Sequence, residues 1–139
     1  MKASLRAFTG LALAAATGVF AASCSNSSDS QTPAPAPAAT VVFNSPAMHQ
    51  SYLPGDTVRI SGSITTPEQM HGYHITIKRS SDNVVLDSLE AHFHGTHTTF
   101  AHKWANTLTA HAELEVAVEV MLDHDGNTFT QSCHIHCMP

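Results

Sequence analysis

The sequence predicts an all-β domain: a single antiparallel β-sandwich of about seven short strands over residues 40–139, preceded by an export segment and a flexible linker. Two observations carry that expectation. Turn signals recur roughly every ten residues between short apolar runs, the spacing of a sandwich or barrel. Within those runs apolar and polar residues alternate with the two-residue period of a strand that has one buried and one wet face.

Thr40 to Asn44 reads as a first strand, stopped by Ser45-Pro46. Leu53-Pro54-Gly55-Asp56 is a turn, since Pro presets φ and Gly tolerates positive φ. Thr57 to Ile64 follows, with Val58, Ile60 and Ile64 on one face and Arg59, Ser61 and Ser63 on the other. Gly72 to Arg79 puts Tyr73, Ile75 and Ile77 on one face. Ser80 to Asn83 is a tight polar turn, so Val84 to Leu89 is expected to pair back as a hairpin. Thr96 to Trp104 is a fifth strand. Glu113 to Leu122 is the clearest: Leu114, Val116, Val118, Val120 and Leu122 alternate with Glu113, Glu115, Ala117, Glu119 and Met121. The turn Asp125-Gly126-Asn127 leads into the last strand, Thr128 to His136.

Seven strands in this order, opened by SYLPGDTVRISGSI, resemble the immunoglobulin-like or fibronectin III-like sandwiches of bacterial surface lipoproteins. The resemblance covers residues 40–139. It implies the architecture and little about function, because this fold hosts many roles.

The N-terminal residues read as a targeting segment. Lys2 and Arg6 are the positive flank, and Ala7 to Ala22 is an apolar run. That run falls short of the roughly 20 apolar residues of a membrane span but suits a secretory signal. Ala21-Ala22-Ser23 before Cys24 resembles the lipobox of bacterial lipoproteins, with Ala21 where Leu is usual. The resemblance implies cleavage after residue 23, acylation of Cys24 and a membrane anchor in the cell envelope. Ser25, rather than Asp, after the cysteine favours the outer membrane. Residues 25–39, SNSSDSQTPAPAPAA, hold no large apolar side chain and read as a stalk of extended Pro-Ala segments.

Cleavage there leaves four Lys and Arg against eleven Asp and Glu, a formal charge of −7. A nucleic-acid partner is disfavoured, since phosphate binding needs a basic face. Cys133 and Cys137 remain in an oxidising compartment. Along a straight strand they stand about 13 Å apart at ~3.3 Å per residue. A disulfide needs Cα atoms within about 7 Å. Either the chain bends after Cys133, or the thiols are free or bind metal.

The eleven histidines, all from residue 49 onward, are the strongest functional signal. Histidine is the commonest metal ligand among side chains. His92/His94 and His134/His136 are His-x-His pairs, which on a strand share a face with Cα atoms about 6.6 Å apart. The expected topology collects the rest at two poles. One holds His71, His74, His92, His94, His97 and His124, with Met70 or Asp123 as an extra ligand. The other holds His49, His102, His111, Cys133, His134, His136 and Cys137, with Met48 or Met138 as soft donors. Imidazoles with a carboxylate suit Zn²⁺ or Cu²⁺, and sulfur suits Cu(I). Blander roles stand beside these: His102 packs between Phe100 and Trp104, His49 and His111 are solvated, His124 serves a turn, and Met121 packs.

The expected function is therefore capture, buffering or transfer of copper or zinc by an anchored envelope lipoprotein. The alternative is a non-catalytic interaction module binding an envelope protein or a glycan. No serine sits in a recognisable nucleophile turn, and an enzyme is not expected.

Overall fold

The computed structural model describes residues 38–139; the expected export segment, Cys24 and the expected linker through residue 37 lie outside them. The described residues are all-β with no helix. They form six strands: β1 (Thr40–Ser45), β2 (Ser51–Tyr52), β3 (Thr57–Arg79), β4 (Val85–Ala105), β5 (Ala112–Met121) and β6 (Thr128–Cys137).

Six strands replace the expected seven because two pairs fuse, leaving five, and the short β2 adds one that was not expected. β3 joins the segments at Thr57–Ile64 and Gly72–Arg79, and β4 joins those at Val84–Leu89 and Thr96–Trp104. Thr66-Pro67 and Gly95 fall between those segments and mark a corner. β3 and β4 stay paired through it, with register irregularities between Thr65 and Met70 and between Met70 and Gly72. Pro67, which lacks an N–H, sits where the ladder is interrupted. Strands that pass from one layer of a sandwich to the other bend at such irregularities.

The corner divides the hairpin into two layers. The first half of β3 pairs with β1 and with the second half of β4. The second half of β3 pairs with the first half of β4 and with β5, which continues to β6. β2 extends this layer at the end of β6, pairing Ser51 with His136 and Tyr52 with Cys137. That last pairing is parallel, a departure from the purely antiparallel expectation.

The curled sheet closes on one core. Val58, Ile60 and Ile64 point inward from one layer, and Ile75, Ile77, Leu114, Val116, Val118, Val120 and Ile135 from the other, all at most 1% exposed. Fully burying each such side chain contributes about 1.5–3 kcal/mol. The inward phase of β3 changes from even to odd positions between Ile64 and Tyr73, which the irregularity at Met70–Gly72 allows. Tyr73 and Phe100, one from each layer, meet with ring centroids 6.2 Å apart. The buried Asn106 ties two loops together: its Nδ2 donates to Leu53 O at 3.0 Å, and its Oδ1 accepts from Leu108 N at 3.1 Å.

Candidate metal centres

The fold gathers histidines at two places. The first is at the C-terminal end of β6, where burial alternates: Cys133, Ile135 and Cys137 face the core while His134 and His136 face outward. Antiparallel pairing sets Glu113 opposite His136 and Glu115 opposite His134. On the other side of β6 the chain enters β2, with His49 at φ 61°. The His49 N–H donates to His134 O at 2.6 Å, and the His136 N–H donates to Gln50 O at 2.9 Å. These bonds bring the His49 ring over that of His136, with centroids 5.5 Å apart and planes 22° from parallel.

One ligand atom each from His49, Glu113 and His136 lies within 4.8 Å of the others. Metal–nitrogen and metal–oxygen bonds of about 2.0–2.2 Å place ligands on a shared ion slightly closer than that, so modest side-chain rotation closes the site. His49 and Glu113 are exposed and His136 is half-buried, so the group is open to solvent. The His111 ring stands 6.4 Å from that of His136 and nearly parallel to it. Glu115 is engaged elsewhere, with Lys78 at 3.0 Å. Glu113 makes no ion pair among the described residues.

The second group lies at the corner. Antiparallel register places Gly95 opposite Met70 and His92 opposite Gly72, which brings His94 beside His71. The turn after β5 lays His124 on His71. The ring centroids are 3.8 Å apart for His71 and His124, and 5.2 Å for His71 and His94. Burial, then the neighbouring His124 and His94, hold the His71 imidazole below the usual histidine range, with Asp123 partly opposing. Its Nδ1 is buried without a hydrogen-bond partner. Asp123 is held below the ordinary carboxylate range chiefly by Asn127, whose Nδ2 donates to Oδ2 at 2.5 Å and whose backbone N–H donates to Oδ1 at 3.0 Å. That carboxylate closes its turn.

Other expected ligands have different partners. His74 pairs with Glu90 at 3.4 Å, and the same carboxylate lies 3.7 Å from His92. His97 shares a hydrogen bond with Thr65 Oγ1 at 3.0 Å. Met70 is fully buried in the core, which removes it from the ligand set. Met48 Sδ accepts the His134 N–H at 3.3 Å, and the exposed Met138 follows the end of β6. His102 does face inward with Phe100 and Trp104, and it also bonds Asp87.

Cys133 and Cys137 are both free and buried. β6 runs unbroken through both, so the bend that a disulfide between them needs is absent. Burial pushes both thiols up, away from the thiolate that binds metal. They sit on the opposite face of β6 from His134 and His136 because alternate residues of a strand share a face.

Glu113 is the member of the β6 group that sequence reasoning missed. It reads as one of several solvated carboxylates on an alternating strand, and nothing local marks it as the one opposite His136. His49 carried a weak signal, as a histidine in a turn after Ser45-Pro46. No protein-family model matches this chain, and no curated protein matches it in sequence.

Proposed function

We propose that this chain is a lipoprotein of the cell envelope, anchored through Cys24 and more readily placed at the outer than the inner membrane. Its domain binds copper or zinc to capture, buffer or pass on the ion. The role is binding rather than catalysis. The observation that carries the reading is the convergence of His49, Glu113 and His136 within 4.8 Å at the end of β6. Two imidazoles and a carboxylate are a donor set suited to Zn²⁺ or Cu²⁺. The excess of acidic over basic residues favours cations over anions as ligands. The curled all-β sheet supports an immunoglobulin-like domain as the carrier.

The test is a titration of the full chain, purified in detergent, with Zn²⁺ and Cu²⁺ against a competing chelator. Sub-micromolar binding, which corresponds to more than about 8 kcal/mol, is expected. Binding lost to a modest competitor overturns the reading and turns attention to protein or glycan partners.

A further inference from the structure

The cavity at the corner of the sheet extends over about 420 Å³, and its lining includes His71, His92, His94, Met121 and His124, with Glu119 and Asp123 also present. Met121 reads in the sequence as a packing residue on the outer face of β5. Its surroundings assign it more. Gly72 lies between Met121 and His92 in adjacent strands, paired with one on each side. A Cβ at Gly72 would stand 2.8 Å from Met121 Cε and 2.5 Å from Ala91 O. Gly72 has φ 149°, a conformation L side chains rarely adopt. The missing side chain leaves a gap in the outer face, the Met121 methyl end lies over it, and Met121 lines the same cavity as His71, His94 and His124, whose rings meet edge-on and tilted.

We propose that His71, His94, His124 and Met121 form a second metal site, and that it takes copper, Cu(I) included. The imidazoles provide borderline nitrogen donors, and the thioether is a soft donor that selects Cu(I). Zinc draws its ligands from Cys, His, Asp and Glu, so a thioether adds little to zinc affinity. The buried, unpartnered Nδ1 of His71 is a polar atom for which the protein supplies no partner, and such atoms are costly unless bound. This site is separate from the one at the end of β6. Met121 and Glu113 are eight residues apart on β5, roughly 26 Å at ~3.3 Å per residue. Neither proposal depends on the other.

The experiment uses the full chain in detergent, with Glu113→Gln and His136→Ala to disable the β6 site. Cu(I) is titrated under reductant against a competing chelator, and Zn²⁺ in parallel. This background is expected to hold one Cu(I) per chain. Adding Met121→Leu, a swap of similar volume that cores tolerate, should weaken Cu(I) binding by roughly tenfold or more. It should leave Zn²⁺ affinity where it was. X-ray absorption at the copper edge should show a sulfur neighbour that Met121→Leu removes. Adding His71→Ala should weaken both metals. No Cu(I) bound in the background overturns the site. Cu(I) affinity and the sulfur signal unmoved by Met121→Leu overturn the assignment of the thioether. If Glu113→Gln and His136→Ala themselves change no affinity, the β6 reading fails while the corner site is judged on its own variants.

Discussion

His102 Nε2 lies 2.7 Å from the Asp87 carboxylate, although both residues belong to the single strand β4. A straight strand would hold them about 50 Å apart at ~3.3 Å per residue. The bond joins the two halves of β4 after the corner, and both side chains are less than one-third exposed. A hydrogen bond involving a charged group contributes about 1.5–3 kcal/mol. Asp87→Ala and His102→Ala should each lower unfolding free energy in urea by about 1–3 kcal/mol. The double variant should lose clearly less than the sum of the two. Additive losses would mean that the pair does not couple the layers.

At the β6 site, Glu113→Gln and His136→Ala should each weaken Zn²⁺ or Cu²⁺ binding by roughly tenfold or more. Glu115→Gln is the control. It lies on the same face of the same strand, but its carboxylate is held by Lys78 at 3.0 Å. Equal effects from Glu113→Gln and Glu115→Gln would point to diffuse attraction by surface charge instead of ligation.

Gly72→Ala should be among the more damaging single-methyl additions in this chain. The new Cβ meets Ala91 O and Met121 Cε, and the residue has φ 149°. Strain of this kind costs about 1–3 kcal/mol. Thermal unfolding should report the loss, and an unchanged midpoint would show that the corner rearranges freely.

The two buried thiols predict a pH dependence. Burial raises the pKa of Cys133 and Cys137 above that of an exposed cysteine. In the unfolded chain they ionise near pH ~8.5. The native state therefore holds its protons longer, and their contribution to stability is fully present below that pH. It is lost as pH rises through the folded values. The urea midpoint should fall as pH rises above about 8.5. Cys133→Ala with Cys137→Ala should flatten that fall even though the enlarged cavity lowers stability throughout. Thiol reagents should label both cysteines only after unfolding, and rapid labelling of the native protein would contradict the placement in the core.

Much of the fold was legible because strand alternation is a local property. Leu114 to Val120 declares its buried face by period alone, and the turns at Leu53–Asp56 and Ser80–Asn83 stand where Pro, Gly and Asn mark them. The inward placement of Cys133 and the outward placement of His134 and His136 follow from the same alternation. The stretches between Ile64 and Gly72 and between Leu89 and Thr96 were expected as connections because a break in apolar alternation looks alike at a loop and at a bent strand. Only the partner strand tells them apart.

The sequence by itself determined that this is an all-β chain with one core, a histidine-rich surface and alternating faces, since each follows from composition or from neighbours two residues apart. Tertiary structure alone decided which histidines meet. The register of β5 on β6 selects Glu113 over Glu115, the turn at His49 brings a loop imidazole over His136, and the bare backbone of Gly72 leaves room for Met121 in the cavity that the corner histidines line. Those are contacts between segments far apart in the chain. Their geometry depends on strand pairing, bends and missing side chains, which no local pattern encodes.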